Sequence, residues 1–211
     1  LGSVVQTMQQ RQFDNPDHRI SFGKLSELPI LAKYADCLAG IMNGDSPKFI
    51  RNFWEIDEVG DLWAFLQSTV STTTLVGGLQ YVIFYDKKNG HLREEAKNRR
   101  EKLHNADERG NSVWGKRGVA ISQMSALPAA LYFGEKYDSN IATIVPKSEE
   151  DIDAIWTFCS SGEFHDAVRA IDKKLNVTNA TFGKIPFDLA HWQGLAATKY
   201  SGGLPKPHSE D

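Results

Sequence analysis

The chain has 211 residues, 41% of them hydrophobic and 24% charged, with a formal net charge of -3 at pH 7. That apolar content suffices for one sizeable core or two small ones and excludes wholesale disorder. No apolar run reaches the roughly 18 residues of a membrane span, and the opening LGSVVQTMQQRQF has no basic stretch followed by an apolar one, so a cytoplasmic protein is expected.

Residues 1–24 are polar and include the turn-like Asp14-Asn15-Pro16-Asp17, so a mobile segment is expected there. Residues 25–70 read as a helical, aromatic-rich portion. From Leu25 to Met42, Leu28, Leu31, Ala35, Leu38 and Ala39 recur near helical spacing, and Asn43-Gly44-Asp45 signals a stop. Phe49, Phe53, Trp54, Trp63 and Phe65 follow, read as core in preference to a ligand platform.

Residues 71–200 read as a mixed-sheet domain. The run Thr72–Tyr85 is β-branched and aromatic, with Gly77-Gly78 able to bend it, and its end reads as a buried strand. Residues 87–117 then hold ten Lys or Arg against five Asp or Glu, which leaves the remainder of the chain at -8. Their helix formers lack an apolar face, so a surface helix or ordered loop is expected. Strands are predicted over Gly118–Met124, Ala130–Phe133 and Ile141–Val145. A helix begins at Ser148 with an acidic first turn, a second covers Gly162–Lys174, a strand lies near Ala180–Pro186, and a last helix contains Trp192. Residues 201–211 form a polar tail. The fold class expected is α/β (α+β): a mixed β-sheet flanked by helices, with a smaller helical N-terminal portion.

Catalytic signatures are absent from the sequence. Asn15-Pro16 is followed by Asp17 and His18, not by a second proline and an aromatic, and neither GxGxxG nor GxxxxGK[ST] occurs. The six histidines fit no HExxH spacing, and Cys37 and Cys159 belong to no CxxC pair, so reduced, mostly buried thiols are expected and no zinc site can be drawn. No catalytic residue, metal or cofactor is therefore assigned to this chain, and a binding protein is expected.

Several ordered phrases point further: Gly40-Ile41-Met42-Asn43-Gly44-Asp45 with Phe49–Glu55; Trp63–Gly78; Trp114-Gly115-Lys116-Arg117-Gly118-Val119-Ala120; Ile155–Ser161; and Leu175–Thr181 through His191-Trp192. Over roughly Tyr34–Pro207 the chain resembles the large bacterial adenine-specific DNA methyltransferases of type IIG restriction-modification and phage-exclusion systems. The phrases resemble the target-recognition region that follows the catalytic NPP-aromatic motif. The resemblance implies a parent enzyme that moves a methyl group from S-adenosylmethionine to adenine. It also implies duplex DNA and the catalytic domain of the same parent chain as partners.

Physical arguments select candidate DNA contacts. Lys116 and Arg117 lie between Gly115 and Gly118 just before a strand, where a phosphate can approach closely. The amides of Gln123 and Asn179 can pair with adenine edges or, alternatively, satisfy local backbone. Asn176, Thr178 and Asn179 belong to a polar run that is either a DNA-facing loop or a helix cap, and Lys184 extends it. Lys97, Arg99 and Arg100, with Arg93 and Lys102, can neutralise phosphates or form a solvated helix face. Gly44-Asp45 is either an ordinary helix stop or a turn at a domain interface. A competing reading is a protein-interaction module that docks the catalytic domain or a defence-complex partner. An exposed apolar patch near Phe49–Trp63 with no basic groove elsewhere would favour docking, and a continuous positive cleft uniting Lys97–Arg100 with Lys116, Arg117 and Lys184 would favour DNA.

Overall fold

The computed structural model describes residues 8–10, 28–86, 90, 92, 94 and 108–205. The basic stretch carrying Lys97, Arg99 and Arg100 lies outside the described residues, as do most of 1–24 and residues 206–211. The fold is α+β. Strands β1 (Ala35–Ala39), β5 (Gly118–Ser122), β6 (Ala129–Tyr132) and β8 (Ile141–Pro146) form a main sheet in the order β1-β8-β5-β6, antiparallel throughout. A second sheet has the order β2-β4-β3-β7, from β2 (Ile50–Asn52), β4 (Tyr81–Phe84), β3 (Trp63–Gln67) and β7 (Lys136–Tyr137), with β3 and β7 parallel. The expected single mixed sheet is thus two sheets, and only the second is mixed.

Alternation along the main sheet assigns its faces. Val119, Ile121, Ala142 and Ile144 pack with the helices, whereas Ala120, Ile141 and Val145 point the other way, toward Val113, Tyr132 and Tyr137. The helical layer comprises α2 (Ile152–Cys159), α3 (Gly162–Ile171), α4 (Asn179–Gly183) and α5 (Leu189–Lys199). Phe158 centres it, with ring centroids 5.5 Å from Phe164, 5.2 Å from Phe187 and 5.0 Å from Trp192. Ser161 and Asp188 cap α3 and α5 by accepting from the Phe164 and His191 amides, and the first of these starts was readable in the sequence. No helix among the described residues is long and apolar enough to cross a membrane.

Three segments depart from expectation. The helix expected over Leu25–Met42 is a single 3-10 turn, Leu31–Lys33, followed by β1, which pairs with β8 from Ala35↔Pro146 to Ala39↔Ala142. The unpaired edge of a buried strand needs hydrogen-bond partners, and that requirement outweighs a modest helix preference. Residues 25–70 therefore supply β1, β2 and β3, not a helical portion; the one α-helix there is the four-residue α1 (Ser46–Phe49). Gly44 and Asp45 start that helix instead of stopping one, since the Asp45 carboxylate accepts from the Lys48 amide. The strand expected near Ala180–Pro186 is α4, whose Phe182 stacks on Phe164; only Pro186 forms a bridge, to Ile30.

The end of the run Thr72–Tyr85 is β4, as expected, and its earlier residues line the free edge of β6. Thr74 N–H donates to Ala129 O and Leu131 N–H to Leu75 O, which protects an edge that would otherwise be open to intermolecular pairing. Gln67, fully buried, fastens this segment to the sheet by donating from Nε2 to Gly77 O at 3.0 Å and Leu131 O at 2.8 Å.

The two sheets are joined by the chain itself: β6 belongs to the main sheet, β7 to the second, and β8 to the main sheet again. Gly40 lies against that crossing, and a Cβ placed there would stand 2.3 Å from Tyr137 O and 2.4 Å from Asp138 O. Gly40→Ala is expected to cost about 1–3 kcal/mol through overpacking against rigid backbone, read as a lower midpoint in equilibrium urea unfolding.

Candidate nucleic-acid interface

The segment Trp114-Gly115-Lys116-Arg117-Gly118 turns the chain into β5. Gly115 has φ +79 and donates its N–H to Gly134 O at 2.8 Å. At Gly134, φ +105, an added Cβ would stand 2.7 to 2.9 Å from the Gly115 backbone, so Gly134 is required for this close approach, whereas Gly115 is favoured by its positive φ alone. Lys136 braces the turn from below, its ammonium 4.2 Å from the Trp114 ring and 4.3 Å from that of Tyr85.

The strand register then explains where the cations meet. Val119 pairs with Ile144 across β5 and β8, so the residues that precede β5, Lys116 and Arg117, and the residue that follows β8, Lys147, come to the same end of the sheet. Lys116, Arg117 and Lys147 line one cleft of about 460 Å³ with Asp36, Val145 and Glu149. Lys147 donates through Nζ to Ala32 O at 2.6 Å, and Arg117 reaches Pro205 O at 3.3 Å. Like charges gathered in one cleft are unfavourable unless opposite charge lies close. Asp36 and Glu149 supply part of it, and a bound anion can supply more.

The other candidates are dispersed. Gln123 is only 7% exposed, and its backbone is engaged on both sides, with Asn140 O and with the Val177 amide. Asn179 donates Nδ2 to Cys37 O at 2.9 Å, tying α4 to β1, and Thr178 takes the N-cap position of α4. Within this polar run, Thr178 thus takes the cap position without a side-chain cap bond, and the Asn179 amide serves a backbone carbonyl far away in the chain. Asn176 is exposed and bridges Met124, at the opposite end of β5 from Lys116. Seven residues of extended chain between Arg117 and Met124 span roughly 23 Å. Lys184 is exposed at the end of α4, and the preceding Gly183 lies against Ala32, so it flanks the cleft without lining it. Lys147 was not singled out from sequence. The strand Ile141–Val145 just before it was readable, but the pairing that sets it beside Lys116 was not.

Among the described residues, no group of three or more His, Cys, Asp or Glu side chains is placed to hold a metal ion. Both cysteines are free thiols. Burial, with the Asp36 carboxylate adding and Lys147 partly opposing, pushes the Cys37 thiol up to about 12, and burial also raises that of Cys159. Burial likewise raises the Asp138 carboxyl, against the hydrogen bonds from Asn140 and Ser68.

Two outcomes follow from this placement. Asn179→Ala should lower stability by about 1 kcal/mol in urea unfolding while leaving polyanion affinity unchanged, because the amide serves backbone. An unfolded thiol ionises near its ordinary value of 9.0, whereas Cys37 holds its proton to about 12. The unfolded state thus releases protons first as pH rises, so the contribution of Cys37 to stability is complete below pH 9 and declines above it. Melting temperatures followed through this window should fall less steeply in Cys37→Ala.

No family model matches the chain, and no curated protein matches it.

Proposed function

We propose that the chain is the DNA-recognition part of an adenine-specific, S-adenosylmethionine-dependent DNA methyltransferase of a restriction-modification or phage-defence system. The observation that carries this reading is the convergence of Lys116, Arg117 and Lys147 on one cleft at the end of the main sheet. The resemblance of its ordered phrases to that enzyme family, including the Trp-Gly-Lys-Arg-Gly turn at Trp114–Gly118, supports it.

In this reading Lys116 and Arg117 grip backbone phosphates and set the register of the duplex, which positions the protein without itself reading sequence. Asp36 and Glu149 repel phosphate and confine it to the cation side of the cleft. Methyl transfer belongs to the catalytic domain of the parent enzyme, which binds S-adenosylmethionine. The role of this chain is to hold DNA so that one adenine meets that domain. Cytoplasmic residence belongs to the same proposal, since the substrate is there.

The test is fluorescence anisotropy with labelled duplex DNA across a salt series, using the wild type and a Lys116→Ala/Arg117→Ala double variant. Wild-type binding should weaken with salt, and the double variant should bind less tightly with a salt slope shallower by about 2, one for each lost phosphate contact. Failure of the wild type to bind at low salt would overturn autonomous DNA recognition. An unchanged slope in the variant would remove Lys116 and Arg117 from the interface.

A further inference from the structure

At the end of β5 away from Lys116, segments far apart in the chain meet. The β5–β6 turn, residues 123–128, is pinned by Leu127, 2% exposed, and holds Ser125 and Leu127 at φ +55 each. The loop between α3 and α4 lies beside it: Val177 N–H donates to Gln123 O at 2.9 Å, and Asn176 bridges Met124. Arg169 of α3 ties the two together by donating to Ser125 O, Lys174 O and Asp172 O. Ser122 Oγ holds both backbone groups of Val70, and Ala129 N–H donates to Thr73 Oγ1, which brings the hydroxyl-rich residues 68–74 to the same place. Met124 and Leu175 stand 49% and 64% exposed on this tip, and Lys173 and Lys174 are exposed with them.

We propose that this tip makes a second contact to duplex DNA, in which Lys173 and Lys174 take backbone phosphates while Met124 and Leu175 press on the sugar and base edges between them. The inference rests on the DNA-recognition reading and extends it to four residues outside the cationic cleft. The charges around the tip select this occupant. Neither ammonium has a partner among the described residues. The neighbouring carboxylates hold protein groups instead: Asp172 accepts from the Lys174 amide at 2.9 Å and the Thr181 hydroxyl at 3.4 Å, and Asp138, 9% exposed, accepts from the Asn140 amide. Glu163 and Asp166 lie early in α3, about 15 and 10 Å of helical rise from Lys173. Residues 62–85, which supply the hydroxyl-rich stretch, carry no charge that would repel a phosphate, and Ser and Thr hydroxyls are themselves donors to phosphate and sugar. Exposed Met and Leu side chains flanked by cations suit a groove, where apolar groups press against base steps. A polyanion that reaches both ends of β5, roughly 23 Å apart, gains from both sets of cations at once, which a short acidic peptide does not.

The experiment is fluorescence anisotropy on the full chain with a labelled duplex of about twenty base pairs, roughly 68 Å long, across a salt series. Lys173→Ala/Lys174→Ala should bind less tightly, with a salt slope shallower by about 2. Met124→Ser/Leu175→Ser should bind at least about fivefold more weakly at every salt concentration with the slope unchanged, because an apolar contact releases no counterions. All four side chains are exposed, so thermal unfolding should be unchanged in both variants and serves as the check on folding. Lys116→Ala/Arg117→Ala is measured alongside. A tip variant of either kind that binds as the wild type does would overturn the tip contact, and the cleft reading then stands if Lys116→Ala/Arg117→Ala still weakens binding. The reverse pattern would keep the tip and remove the cleft. A wild type that does not bind at low salt sinks both together. A glutamate-leucine peptide that the wild type binds and Met124→Ser/Leu175→Ser loses, with duplex binding unchanged in that variant, would make an acidic protein segment the occupant and overturn the proposal.

Discussion

Strand β8 is hydrogen-bonded along both edges, to β1 on one side and β5 on the other, and most of the molecule depends on that double pairing. Its residues Ile141–Val145 are all buried, Thr143 included, so every backbone group it carries must find a partner within the protein. β1 and β5 supply them. The pairing brings Tyr34, whose carbonyl accepts from the Lys147 amide at 2.8 Å, alongside residues more than a hundred positions later in the chain. It also brings Lys147 to the end of the sheet where Lys116 and Arg117 lie. The same strand is reached directly from β7, so its placement anchors the second sheet as well.

The two sheets thereby present surfaces of contrasting chemistry. The cleft at the end of the main sheet collects cations around a turn stiffened by the Gly115–Gly134 contact and by Lys136 against two aromatic rings. The return segment of the second sheet collects carboxylates and exposed rings.

Between the sheets lie polar groups whose burial constrains the core. The Tyr132 hydroxyl donates to Glu135 O at 2.6 Å, and its ring meets Tyr137 edge to face at 5.3 Å. Burial raises the pKa of both phenols, that of Tyr137 to about 12. Gly110, φ +77, leaves room for the Tyr137 hydroxyl, and a Cβ there would overlap it at 2.0 Å. Such close contacts give this region a definite geometry where aliphatic packing alone would tolerate adjustment.

Local patterns in the sequence determined the α+β class, the strands β4, β5, β6 and β8, and the helices α2, α3 and α5. Each of these has a period, a cap or a β-branched run that acts over a few residues. They also marked Lys116 and Arg117, because a cationic pair between glycines is conspicuous in one dimension. Only tertiary structure decided the fate of Ala35–Ala39, whose helix-like spacing yields to the free edge of β8, and of Asn179, whose amide is taken by Cys37 O. It likewise turned Phe53, Trp54 and Phe65 outward, although their composition reads as core. Lys147 became part of the cleft through strand register alone. The physical reason is common to all four: which groups are buried, paired or exposed depends on contacts between residues far apart in the chain, and a local pattern carries no record of those contacts.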